Sequence, residues 1–194
     1  MTTPRRDPVL PGLERLVQAL DNAVAGRSPP HAYAAVRAVL PLLVADPRIQ
    51  LPPHAYRPDP QHYARHVLHR SKQHGYCVVA MAWGPGQGAP LHDHAGLWCA
   101  EAVWSGTLWI TPWTLAGHDP DGGMRFAPGR VLQLQPGDCD GLEADSPYHQ
   151  VHNPDPATVA VSLHIYEAEA EGCQVYVPAA DGRYWPEYRA LAAD

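Results

Sequence analysis

From Gly75 onward the chain is cut at close intervals by turn-forming pairs: Pro85-Gly86, Asp121-Gly122-Gly123, Pro128-Gly129 and Pro136-Gly137. Pro lacks a backbone N–H and Gly favours turn dihedrals, so no long helix runs through such punctuation. Between the turns lie short runs rich in Val, Trp, Tyr and Ile, residues that suit a pleated, half-buried surface. The runs at 76–83, 90–95, 98–104, 107–115, 130–134, 147–152, 158–166 and 173–177 read as strands. Short strands at this spacing predict a jelly roll or a related small barrel, an architecture that removes or protects sheet edges.

The N-terminal part has a different texture. Leu10, Leu13, Leu16, Val17, Leu20 and Val24 recur at helical three-four spacing within 9–25, and Gly26 follows as a stop. A second helix is expected over 31–45. Prolines at 47, 52, 53, 58 and 60 then mark a connection, and a short helix is expected over about 60–69. The expected class is therefore all-β, a jelly-roll-like barrel with N-terminal α-helices packed outside. Residues 1–58 form the helical segment and 59–194 the core of a single domain.

Composition narrows the functional classes. At 194 residues, 45% hydrophobic and 18% charged, the chain has the makings of one ordered domain, with no repeat and no low-complexity tail. The net charge of -6, with 14 Lys and Arg against 20 Asp and Glu, offers no basic surface for a phosphate backbone, so no nucleic-acid partner is expected. MTTPRRDPVLPG has no apolar region after its arginines, and no run approaches the ~18 apolar residues of a membrane span. A soluble cytoplasmic protein with no membrane partner is expected. Cys77, Cys99, Cys139 and Cys173 contain no CxxC pair, which argues against both a disulfide framework and a zinc knuckle.

The excess of 12 histidines carries the chemistry. His92 and His94 are two apart in PLHDHAGLW, and on a strand residues i and i+2 project from one face, within reach of one ion. Gly86, His92, His94, Cys99 and Gly106 reproduce the spacing of the first cupin motif, G-x5-H-x-H-x4-(E)-x6-G, with Cys99 in the glutamate's place. His149 to Asn153 supplies the H-x3-N ending of the second cupin motif, although Ala144 and Ser146 stand where Pro and Gly are common. His149 is the natural third ligand. His152 points the other way from His149 on a strand of period two. His31, His54, His62, His66, His69, His74 and His118 read as surface or helix residues.

Three neutral imidazoles with no protein carboxylate leave a divalent ion its full charge and an open face that invites an anionic ligand. The usual non-haem Fe(II) oxygenase site has two His and one carboxylate. Loss of the carboxylate favours a ligand that brings its own negative charge, such as a thiolate. Zinc with three His and a water, a hydrolytic or hydratase-like site, is the rival reading.

Further blocks resemble the cysteine dioxygenase family of thiol dioxygenases. H-x-H-x4-C is present as His92, His94 and Cys99. H-x12-S-x-H-x-Y is present as His149, Ser162, His164 and Tyr166 in VSLHIY, and Y-x-R as Tyr63-Ala64-Arg65. The resemblance covers about residues 60–176 and implies a cupin barrel that adds both atoms of dioxygen to the sulfur of a small carboxylated thiol. It implies Fe(II) on His92, His94 and His149, and Arg65 on the substrate carboxylate with help from Tyr63. Tyr166 would place its hydroxyl beside substrate and oxygen, His164 would hydrogen-bond that hydroxyl, and Ser162 would orient His164. Cys99 matches the cysteine that forms a thioether with the tyrosine in some members. Glu167-Ala168 replaces the Ser-Pro-Pro of mammalian-type enzymes, so the substrate wall is expected to differ. Trp98, Trp104, Trp109 and Trp113 make one segment tryptophan-rich, with alternate rings expected outside the barrel. Arg65 tilts the substrate toward L-cysteine over 3-mercaptopropionate or mercaptosuccinate. A non-catalytic metal-binding cupin is the reading from another class. Oligomeric state does not follow from the sequence.

Overall fold

In the computed structural model, which describes residues 10–143 and 147–191, two sheets face each other and two helices cover one of them. The helices are α1 (Leu13–Val24) and α2 (Pro29–Val44). The strands are β1 (Ala64–Arg70), β2 (Cys77–Trp83), β3 (Gly88–His92), β4 (Cys99–Ser105), β5 (Leu108–His118), β6 (Met124–Pro128), β7 (Leu132–Leu134), β8 (Cys139–Leu142), β9 (Tyr148–His152), β10 (Ala160–Tyr166), β11 (Gly172–Pro178) and β12 (Tyr184–Ala190). One sheet has the order β1-β2-β10-β4-β8, the other β6-β12-β11-β3-β9-β5-β7. The protein is an all-β cupin with N-terminal helices outside the barrel.

The five-stranded sheet is buried on both faces, and its strands show it. Every residue of β2 and of β10 is buried. Because side chains alternate across a strand, Val78 and Ala80 of β2, Ala100 and Ala102 of β4, and Val161, Leu163 and Ile165 of β10 turn outward. There they meet Leu16 and Leu20 of α1 and Val36, Leu40 and Leu43 of α2. The intervening residues Val79, Met81, Trp83, Cys99, Val103 and Tyr166 line the barrel interior. Gly12 precedes α1 with φ of 78°, and a Cβ there would collide with the Arg48 carbonyl, so only Gly lets the chain enter the helix at that point. Among the described residues, no helix is long and apolar enough to cross a membrane.

Several expectations need correction. Residues 64–70 form a strand, not a helix, with Arg65 paired opposite Met81 of β2 and a bulge between Val67 and His69. Their spacing of apolar residues fits both periods, and pairing with the exposed edge of β2 decides the outcome. His66 is consequently buried on that strand, its Nε2 3.1 Å from the Arg57 carbonyl. Strands β6, β8 and β12 lie outside the expected runs. The first contains Pro128, the second is CDGL, and the third carries Pro186 and is mostly exposed. Ala144 and Ser146 lie outside the described residues.

Candidate metal centre

β3 and β9 are antiparallel neighbours with His92 directly opposite His149, so sheet register alone brings two distant histidines together. Their Nε2 atoms are 3.2 Å apart. His94 lies just beyond the end of β3, and Asp93 holds it there. The Asp93 carboxylate accepts from the backbone N–H of Ala95 and of Gln174 and from the Tyr176 hydroxyl, while its own N–H donates to the Gln174 carbonyl. Asp93 therefore ties the turn to β11 rather than joining the ligand set. The glycines of the first motif, Gly86 and Gly106, both adopt positive φ, 70° and 76°, and a Cβ on Gly106 would press on Ala160. Asn153 of the second motif is fully buried, with Nδ2 donating to the carbonyls of Trp83, Gly84 and Thr158.

One donor atom from each of His92, His94 and His149 lies within 4.8 Å of the others. Burial is the main cause that lowers all three pKa values, those of His94 and His149 far below the ordinary range, so the rings are neutral and available as ligands. The Pro90 carbonyl lies 2.8 Å from His92 Nδ1, which fixes the proton there and leaves Nε2 bare toward the cluster. Three bare, converging imidazole nitrogens suit a divalent transition metal. His152 is not part of the cluster and packs near Trp109, as its strand parity requires.

Substrate-side residues sit around the same cavity, which Tyr63, Arg65, Met81, Trp83 and Cys173 line together with the histidines. Arg65 projects inward from β1, with its guanidinium 5.8 Å from the Tyr166 ring centre and its buried Nε without a partner. Among the described residues no carboxylate pairs with it. Tyr63 stacks on Trp83 at 4.6 Å, which fixes its ring at the cavity edge. Glu167 hydrogen-bonds the backbone N–H of Trp98 and does not line the cavity; Ala170 and Leu191 do. Trp98, Trp104, Trp109 and Trp113 all lie away from it, and Trp83 is the indole that faces it.

Cys99 of β4 and Tyr166 of β10 are cross-strand partners, both buried. Burial pushes both pKa values well up, so each keeps its proton. Ser162 does orient His164, but the expected bond from His164 to the Tyr166 hydroxyl is not formed. The Trp83 indole N–H, a donor only, points at Ser162 Oγ at 2.8 Å. Ser162 therefore directs its own proton to His164 Nε2, 2.7 Å away. The proton of His164 is then on Nδ1, which faces not Tyr166 but Glu101 Oε2 at 3.2 Å and Cys99 Sγ at 3.8 Å. The two rings stack nearly parallel instead, 5.9 Å apart.

A carboxyl group not singled out from the sequence, Glu101, stands behind the three-histidine cluster without joining it. It is 3% exposed, and its Oε1 lies 3.5 Å from His149 Nδ1. Burial raises its pKa to about 8, and the nearby Asp140 adds to the effect. The signal was present in the sequence, since Glu101 follows Cys99 by two on one strand and so shares its inward face.

A family model for cysteine dioxygenase type I matches residues 54–178. The curated cysteine dioxygenase type 1 of Danio rerio is 27% identical over 99 residues, which cover 51% of this chain and 48% of that protein. The chain thus spans about half the length of this relative. Among solved structures, a protein from Thermus thermophilus aligns at a TM-score of 0.41 and 21% identity, covering 57% of this chain and 87% of that one. A cupin protein from Desulfovibrio desulfuricans aligns at 0.42 and 18%, covering 62% and 96%.

Proposed function

The chain belongs to the cysteine dioxygenase type I family, and from that premise we propose that it is a non-haem Fe(II) thiol dioxygenase that converts a small carboxylated thiol to its sulfinate, with L-cysteine as first choice. The observation that carries this reading is the juxtaposition, in one buried cavity, of three converging neutral histidines and a guanidinium without a carboxylate partner. Bound Fe(II) on His92, His94 and His149 would supply an open face on which a thiolate and dioxygen react. Both oxygen atoms go to sulfur, which supplies the electrons, so no external reductant is needed.

The chain's own part is alignment and charge placement. Arg65 binds the substrate carboxylate, where a planar guanidinium forms a two-pronged, charge-assisted contact. Tyr63, held against Trp83, borders that subsite. The Tyr166 hydroxyl, kept protonated by burial, is available to hydrogen-bond the reacting groups. The cross-strand placement of Cys99 and Tyr166 supports a thioether between Sγ and the phenol ring, formed with loss of two hydrogens to dioxygen as oxidant. A cytoplasmic location suits a thiol substrate that must arrive reduced.

A second thiol acid has its own support. Arg189 of β12, 3.3 Å from Glu187, lines with Arg65 the pocket that adjoins the cavity, and this second cation suits a substrate with two carboxylates, such as mercaptosuccinate. Oxygen uptake and sulfinate formation by iron-loaded protein, compared across L-cysteine, 3-mercaptopropionate and mercaptosuccinate, tests the choice. Turnover of L-cysteine below that of either other thiol refutes it. Absence of oxygen uptake with all three favours a non-catalytic metal-binding cupin.

A further inference from the structure

The accounting of buried polar atoms behind the histidines does not close without Glu101. Both its carboxylate oxygens and His149 Nδ1 lack any hydrogen-bond partner, although all three are buried. Unpaired buried polar groups are costly, more so when charged, so such a cluster persists only if its members serve one another. The distances fit that reading. Oε1 is 3.5 Å from His149 Nδ1 and Oε2 is 3.2 Å from His164 Nδ1, one oxygen for each ring. Neither contact is aligned as a formed hydrogen bond, but both oxygens stand within ion-pair distance of a ring nitrogen. Glu101 is not itself a member of the ligand cluster, which comprises His92, His94 and His149 alone among the described residues.

The proton on His164 Nδ1 is independently required by the Trp83 indole, which compels Ser162 to donate to the other ring nitrogen. The proton on His149 Nδ1 follows once Nε2 faces the cluster beside His92. Two donors therefore point at one carboxylate from two elements, β9 and β10, while the carboxylate comes from a third, β4.

We propose that Glu101 is the positioning residue of this centre, a single carboxylate that accepts from His149 Nδ1 and His164 Nδ1 and so couples the orientation of a metal ligand to that of the histidine packed on Tyr166. The proposal rests on the reading of His92, His94 and His149 as metal ligands. Its consequence is that the site is not electrostatically bare. A carboxyl group stands directly behind the ligand set, and in its ionised form, which two facing N–H donors favour, it raises the basicity of His149 as an outer partner of a metal-bound imidazole does.

The test uses Glu101→Gln, which keeps volume and shape, and Glu101→Leu, which removes both acceptors. A carboxamide has one acceptor oxygen, and its NH2 opposes the second Nδ1–H. Two quantities are read on histidine-labelled protein: Zn(II) affinity by competition with a chelator, and the chemical shift of the His164 Nδ1–H proton by proton–nitrogen correlation of the Zn(II)-loaded protein. In wild type, His164 carries its proton on Nδ1. In both variants Zn(II) affinity should fall about 10- to 100-fold, the usual effect of losing an outer partner, and the His164 Nδ1–H, still held on that nitrogen by Ser162, should lose the downfield shift of a proton donated to a carboxylate. A purely structural Glu101 would leave Glu101→Gln unchanged in both readouts, and that result overturns the proposal while leaving the metal centre intact. Wild-type protein that takes up no Zn(II) or Fe(II) overturns the metal centre and the proposal together.

Discussion

Asn153 offers a sharp test of how the second histidine block is held. Its Nδ2 reaches the carbonyls of Trp83, Gly84 and Thr158 at 2.9, 3.0 and 2.9 Å, and its Oδ1 accepts from the Asp155 N–H at 3.1 Å. The side chain is fully buried, so Asn153→Ala leaves up to three backbone groups short of a partner, since the Gly84 carbonyl still accepts from the Gln87 N–H. At about 1–3 kcal/mol for each unpaired buried group, and with water entering the vacated space to serve about half of them, the expected loss is about 2–4 kcal/mol. At ~2–4 °C per kcal/mol for a chain of this length, the melting temperature should fall by about 4–16 °C. Asn153→Asp is the discriminating variant. It preserves shape and the Asp155 contact but replaces the donor with a carboxylate aimed at carbonyl oxygens, so it should be at least as damaging as alanine. Urea denaturation of metal-stripped protein measures both. An alanine variant within ~1 kcal/mol of wild type, or an aspartate variant as stable as wild type, would refute the reasoning that Nδ2 donation holds this corner together.

Four further outcomes are expected. His149→Ala should lose bound metal by elemental analysis, whereas His152→Ala, outside the cluster, should keep it. Arg65→Ala should retain metal but lower kcat/KM for carboxylated thiols by about 100-fold or more, the scale of a lost buried charge contact, with no comparable loss for cysteamine, which has no carboxylate. Intact mass should show a species lighter by two hydrogens after iron and thiol turnover, and Cys99→Ala should never form it. Burial holds the His164 pKa at about 3 against an ordinary 6.5. The folded state therefore binds fewer protons than the unfolded chain between those values, and stability must fall as pH drops through that window. His164→Asn should flatten the pH dependence of the urea midpoint between about pH 6.5 and 4.5, and an unchanged slope would contradict the burial argument.

How much of this was readable beforehand varied with the kind of information involved. Turn pairs and apolar alternation marked the strands of the two facing sheets that carry the histidines, because those strands are long or flanked by Pro-Gly. β1 escaped, since ARHVLHR fits a helical or a strand period equally and only its pairing with β2 decides. β8 escaped because four residues with a central Gly carry no pattern without a partner strand. Ligand spacing was readable for His92 and His94, although His94 sits in a turn held by Asp93 rather than on the strand. Glu101 and Trp83 were overlooked for different reasons. A glutamate is ordinarily read as solvent-facing, and only the inward parity of Cys99 contradicts that; the indole matters through Ser162, a contact between strands that no local pattern records.

The double burial of β4 has a consequence for how the candidate site can be disabled or tuned. Cys99 and Glu101 face the chemistry, while Ala100 and Ala102, at 0% and 1% exposure, support α2 from the opposite side. Methyl groups are all that fit there. A bulkier residue at either alanine has to lift the helix or push the strand inward, and the interior side of that same backbone carries the thiol and the carboxylate. The site can therefore be deformed from the outside wall, by lesions that touch no residue of the cavity and that no inspection of the cavity would flag.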